Sequence, residues 1–203
     1  MLWILPGVVL LAAVGFAAAI VGIDSYQYKR NRKIIQALKK DAGASRTLVV
    51  FFSRSGNTEL MARKIAGIKN ADLVPIQSER DKIGFVGWIQ SLQDARKTEA
   101  EITPSKIDLS GYDTVYIGSP IWLYSPAPPV FEFAGKNDFT GKKVILFNSM
   151  NSKFEQKYID DFRRIIEKNG GTFEEHIYII RGRMTRQMDV DSFLKETERL
   201  LNK

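Results

Sequence analysis

The chain has 203 residues, no cysteine, a single histidine and a formal net charge of +7. At this length one domain with a sizeable core is the default. The lack of cysteine excludes disulfides, thiolate metal sites, iron–sulfur clusters and a catalytic thiol, and a lone His176 argues against a His-based triad or a multi-His metal site; redox chemistry would need a bound cofactor.

Residues 2–23, LWILPGVVLLAAVGFAAAIVGI, carry no charge. As a helix they rise roughly 33 Å, about the thickness of a bilayer core. Trp3 at one end and Tyr26 and Tyr28 at the other suit the two interfaces. The pattern predicts an uncleaved transmembrane anchor over 1–23. A cleaved signal peptide, the competing reading, needs a positive n-region and a shorter apolar core. Gly15 with Ala19 and Ala18 with Gly22 would allow anchors to pair. The basic excess lies directly after this stretch: residues 24–46 hold seven Lys/Arg against Asp24 and Asp41, and the remaining chain carries 23 against 21. That bias predicts a single-pass cell-membrane protein whose C-terminal domain faces the cytoplasm. The near-balanced remainder argues against nucleic acid as a partner. Residues 24–46 read as a basic juxtamembrane tether. Ile34, Ile35 and Leu38 form either a stripe resting on anionic headgroups or one side of a solvated stalk.

From 47 to 203 buried-type strands alternate with helical patterns. In chain order the expectations are a strand at 47–52, a helix at 57–68, a strand at 71–76 and a helix at 85–97 anchored by Phe85, Ile89 and Leu92. A strand at 113–117, a short helix from Pro128, a strand at 143–147, a helix at 154–169, a strand at 175–180 and a helix at 190–202 follow. This alternation predicts an α/β doubly wound fold with a parallel sheet and helices on both faces. Ligands of such folds sit outside the carboxyl ends of the strands, which points to loops 53–58, 118–127 and 148–154.

Ser53-Arg54-Ser55-Gly56-Asn57-Thr58 lies between a buried strand and a helix start. Hydroxyls, successive backbone N–H groups, a glycine and a helix N-terminus make an anion cradle. It lacks the lysine and the spacing of a nucleoside-triphosphate P-loop. An ordinary turn with Asn57 or Thr58 near the cap is the alternative. The hexapeptide resembles the [ST]-x-[ST]-G-x-T phosphate loop of the flavodoxin family, and GSPIWLYSPAPPVFEF (118–133) resembles the aromatic, proline-rich loop that such proteins wrap around an isoalloxazine ring. The resemblance covers roughly 47–200. It implies a three-layer flavodoxin-like fold with a five-stranded parallel sheet in order 2-1-3-4-5, FMN as cofactor, and electron or hydride transfer.

By that resemblance the phosphate falls to Ser53, Arg54, Ser55, Gly56, Asn57 and Thr58, and the ring to Ser119, Pro120, Ile121, Trp122, Leu123 and Tyr124, with Ser149 and Asn151 behind. Trp122 and Tyr124 can stack on a flat ring. Arg54 either meets the phosphate or points to solvent. The third loop departs from the family, and the absence of carboxylates from 118–131 and 147–154 predicts a less negative potential for the fully reduced flavin than in acidic flavodoxins. His176 reads as a surface or strand-edge histidine, Trp88 as core, and Arg181, Arg183 and Arg186 as a solvated loop that could instead meet a nucleotide phosphate. Three functions fit: a membrane-anchored carrier passing electrons to a membrane partner, an FMN-dependent NAD(P)H:quinone oxidoreductase, or a tethered module without FMN. The oligomeric state is not encoded in any motif.

Overall fold

The computed structural model describes residues 4–38, 45–183 and 186–202. Five strands pair in parallel: β1 (Thr47–Phe52), β2 (Asp72–Ile76), β3 (Thr114–Trp122), β5 (Lys143–Met150) and β6 (Thr172–Ile180), in spatial order β2-β1-β3-β5-β6. A two-residue strand, β4 (Ser125–Pro126), folds back antiparallel onto β3. Counted without β4, the order is the expected 2-1-3-4-5. Strand β1 is a continuous apolar run because both its faces are covered. Leu48, Val50 and Phe52 point to a core shared with α4 (Pro128–Lys136) and α5 (Gln156–Lys168), where Val130, Phe133, Ile159 and Phe162 are buried. Val49 and Phe51 point to the other, shared with α2 (Asn57–Lys69) and α6 (Val190–Leu201) through Leu60, Met61, Ile65 and Phe193. Pro75 is tolerated because β2 is an edge strand. Gly118 is required in β3, since a Cβ there would lie 2.0 Å from the Phe147 ring of β5.

Strand β3 runs past Gly118 to Trp122, further than expected, because Ser119 and Pro120 stay in register with Asn148 and Ser149 of β5. The helix α3 (Phe85–Asp94) is shorter than expected, and its anchors differ: Gly87 and Ser91 are buried, whereas Phe85 and Leu92 are exposed.

The N-terminal region corrects the expectation most. A single helix, α1 (Ile4–Ala37), runs through the expected boundary between anchor and tether at residue 24. Among the described residues no helix is long and apolar enough to cross a membrane. The physical reason is docking. From Phe16 onward one stripe of α1 is committed to the domain: Phe16 meets Trp88 edge-on at 6.4 Å, and Ile20, Asp24, Gln27, Asn31 and Ile35 are buried at helical spacing. Ahead of Phe16, α1 has about twelve residues, roughly 18 Å, against the roughly 20 residues that a span needs. The transmembrane anchor, the single-pass cell-membrane placement with a cytoplasm-facing domain, and the membrane as a partner are therefore overturned. The apolar side of residues 34–38 faces the α2–α6 core and not headgroups, with Ile34, Ile35 and Leu38 packed there. Residues 39–44, the last part of the expected tether, lie outside the described residues.

Candidate cofactor site

At the carboxyl end of β1 the chain leaves the sheet at Ser53 and turns through Gly56 at φ 87° into α2. That left-handed backbone is open to glycine, and the tight turn aims the start of α2 at the space outside β1 and β3. Among the described residues, the backbone N–H groups of 54–58 and the hydroxyls of Ser53 and Ser55 have no hydrogen-bond partner in the protein. Unpaired donors crowded at a helix N-terminus fit an anion with several acceptor oxygens. Thr58, 1% exposed, is different: its hydroxyl is 2.9 Å from that of Ser149 on β5, so the two loops are tied by a buried bond.

The second wall comes from the β3–β4 hairpin. Leu123 and Tyr124 sit at its tip with φ of 42° and 76°. Two successive positive φ values match the right-handed twist of a two-residue hairpin, at a cost for non-glycine residues. Trp122 stands edge-on to Phe52 at 5.5 Å. Beneath the hairpin, Asn148 donates to the carbonyl and hydroxyl oxygens of Ser119, at 2.7 and 3.1 Å, and the Ser119 hydroxyl accepts from Ala127 N–H. His176 Nε2 lies 2.8 Å from Asn148 Oδ1, so the ring carries its proton on Nε2. It is thus a half-buried part of this network on the edge strand β6, and desolvation pushes its pKa down to about 4.

These elements enclose a cavity of about 280 Å³. Of the expected residues, Ser53, Arg54, Ser55, Asn57, Thr58, Pro120, Ile121, Trp122, Leu123, Ser149 and Asn151 line it. Three do not. Gly56 turns its back to α1, Ser119 lies under the hairpin, and Tyr124 is covered by the Lys153 ammonium at 5.1 Å from its ring centroid.

Several lining residues were missed by the sequence reading. Asp24 and Gln27 enter from α1, and Trp88, Ser91 and Leu92 from α3. Trp88 is part of the wall and not core. Arg54 neither meets solvent nor is free for an anion: it pairs with Asp24 at 2.6 Å and donates to the carbonyls of Lys82 and Gly84. Burial holds the Asp24 carboxyl above the usual range, and the Arg54 charge pulls it back down. No local pattern marks Asp24 as a site residue; its signal is only the spacing of 20, 24, 27, 31 and 35 on one helix face. A larger, open depression of about 720 Å³ lies beside α4 and α5. Several of its charges pair with each other, Arg80 and Lys97 with Asp94 and Lys136 with Glu132, and among the described residues it has no run of unpaired backbone donors at a helix N-terminus like that of residues 54–58.

Comparison with known proteins agrees with this geometry. Residues 46–176 match the family model described as Flavodoxin. Flavodoxin 1 of Salmonella typhimurium is 30% identical over 138 residues, which cover 64% of this chain and 66% of that protein. Flavodoxin 1 of Escherichia coli K12 is 29% identical over the same extent. The match thus spans just under two thirds of these relatives' length. Among solved structures, a flavoprotein from Bacteroides uniformis superposes with a TM-score of 0.59 at 21% identity, covering 79% of this chain and all of that one. A flavoprotein from Lactobacillus acidophilus in complex with FMN gives 0.53 at 23%, covering 66% and 93%. At these identities the structural likeness concerns the fold.

Proposed function

The chain belongs to the flavodoxin family, and from that premise we propose that it is an FMN-dependent oxidoreductase that takes electrons from NAD(P)H and passes them to a quinone or a similar small acceptor. The observation that carries the proposal is the unpaired donor set of residues 53–58 opening into the same cavity as Trp88, Ile121 and Trp122. A phosphate monoester fits the donors, and a flat, partly apolar ring fits the aromatic wall. The FMN complex of the Lactobacillus relative supports this choice of cofactor.

FMN, when bound, supplies the chemistry of accepting and releasing electrons. The protein's own residues position and shield it. The loop N–H groups and the Ser53 and Ser55 hydroxyls receive the phosphate. The Thr58–Ser149 bond keeps the phosphate loop and the end of β5 at fixed separation. Asn148 and Ser119 stiffen the hairpin that carries Trp122. Helices α1 and α3 wall the cavity from outside, through Gln27, Trp88 and Leu92. A carrier that docks on a protein needs its flavin edge at an open face. A walled cleft with apolar lining favours a small, flat acceptor instead, which is why the oxidoreductase reading replaces transfer to a membrane partner.

The test is anaerobic mixing of the FMN-loaded full chain with NADH or NADPH, followed by addition of a soluble quinone. Bleaching of the flavin by one nucleotide and its recovery on quinone addition are expected. Bound FMN that dithionite bleaches but neither nucleotide does would contradict the proposal.

A further inference from the structure

Two charged side chains are buried among the described residues, Asp24 and Arg181, each 2% exposed. Asp24 has Arg54. Arg181, at the end of β6, has no carboxylate within ion-pair distance among the described residues. Its guanidinium lies 4.8 Å from the Phe193 ring centroid and donates to Met188 O and to Asn57 Oδ1. Burial, reinforced by Arg30 and only partly offset by the Asp189 carboxylate, pushes its pKa down to about 10, so it stays charged at neutral pH. A buried cation with no carboxylate in direct contact is costly to keep. The expectation of a solvated arginine loop therefore fails at this residue.

Its hydrogen bond leads into the cofactor site. Asn57 belongs to the phosphate loop and lines the cavity. Asn31 of α1 donates through Nδ2 both to Ser55 O and to Asn57 Oδ1, each at 2.8 Å. Because Ser55 O can only accept, the Asn31 amide has one permitted orientation. Asn57 Oδ1 must then accept from both Asn31 and Arg181. The Asn57 Nδ2 group is turned away from both, and its two N–H donors have no protein acceptor among the described residues. The loop itself supplies no lysine, and its own Arg54 is neutralised by Asp24.

Resting on the FMN reading above, we infer that Arg181 is the positioning cation of the phosphate site: together with Asn31 it fixes the Asn57 amide so that its N–H groups face a dianionic phosphate monoester, which in turn balances the buried guanidinium charge. Asn31 lies ahead of the matched family region and Arg181 beyond its other end. The consequence is selectivity for the phosphorylated flavin over riboflavin.

The experiment measures dissociation constants of FMN and of riboflavin by flavin fluorescence quenching, using the full chain, Arg181→Gln, Arg181→Lys and Asn31→Ala, with circular dichroism as the fold control. A charge-assisted donor pair is worth about tenfold or more in affinity. The expected result is that Arg181→Gln lowers the FMN-over-riboflavin preference by about that factor while riboflavin binding is unchanged. Arg181→Lys keeps most of the preference, and Asn31→Ala gives an intermediate loss. A preference unchanged in Arg181→Gln overturns the inference. Should that variant not fold, a preference unchanged in Asn31→Ala overturns it equally. A wild-type chain that takes up no FMN overturns the functional reading and this inference with it, whereas FMN uptake with unaltered preference overturns this inference alone.

Discussion

Replacing Gly56 with alanine tests whether α1 is seated on the phosphate loop. Two effects add. At φ 87° an L-residue pays roughly 1–2 kcal/mol for the left-handed backbone. The new Cβ would also stand 2.8 Å from Asn31 Cβ and 3.3 Å from Ile35 Cδ1. The Ile35 methyl can turn aside, but Asn31 Cβ is fixed to the helix backbone, so α1 must shift, an overpacking cost of about 1–3 kcal/mol. Stiffening of the unfolded chain returns roughly 0.4–1 kcal/mol. The net expectation is a loss of about 2–4 kcal/mol in urea unfolding. The separation of the two effects comes from a double-mutant cycle with Asn31→Gly, which removes the opposing Cβ. In that background Gly56→Ala should cost only the backbone part, leaving a coupling of about 1–3 kcal/mol, the overpacking cost. An equal cost of Gly56→Ala in both backgrounds would refute the docking of α1 on this loop.

Other perturbations report on separate parts of the structure. Arg54→Met leaves the Asp24 carboxylate buried without its partner, since their side chains are 11% and 3% exposed; it should cost about 3–5 kcal/mol, with most of it recovered in the Arg54→Met/Asp24→Leu pair. His176 has a folded pKa of about 4 against about 6.5 unfolded. The unfolded chain therefore binds the proton first, and stability present above about pH 6.5 is lost as pH falls toward 4, by on the order of 2–3 kcal/mol. Unfolding curves across that window should show the loss, and His176→Gln, which keeps a donor to Asn148, should flatten it. Trp122→Ala should weaken FMN binding by about ten- to a hundredfold in a fluorescence titration, because it removes an aromatic wall of the cleft.

The doubly wound fold was legible because its signals are local. Thr47–Phe52 is an unbroken apolar run, and Asn57 starts a helix directly after a glycine turn, so β1, the loop and α2 follow from adjacent residues. The same holds for the first half of β3 and for β5. What escaped was long-range. Asp24, Gln27 and Asn31 look like solvated residues of a basic tether, because hydropathy counts each as polar. They are buried against a loop that is itself polar; Asn31 donates to Ser55 and Asn57, and Asp24 pairs with Arg54, which offsets their desolvation. An apolar run followed by basic residues reads as a span only as long as nothing binds its side; Trp88 and the phosphate loop do. The extension of β3 to Trp122 was hidden by Pro120, and the tie of half-buried His176 into the site depends on Asn148, 28 residues away. The carboxylate-free loops 118–131 and 147–154 do not account for Asp24, which enters the cavity from α1.

The most direct test of the central proposal is the visible absorption spectrum of the purified full chain after incubation with FMN and desalting, beside the Ser53→Ala/Ser55→Ala variant. The expected outcome is a flavin spectrum retained by the wild type and much reduced in the variant, with circular dichroism unchanged. A wild-type chain that emerges colourless, or a folded variant that holds FMN as tightly as the wild type, would contradict the assignment of residues 53–58 as the phosphate site.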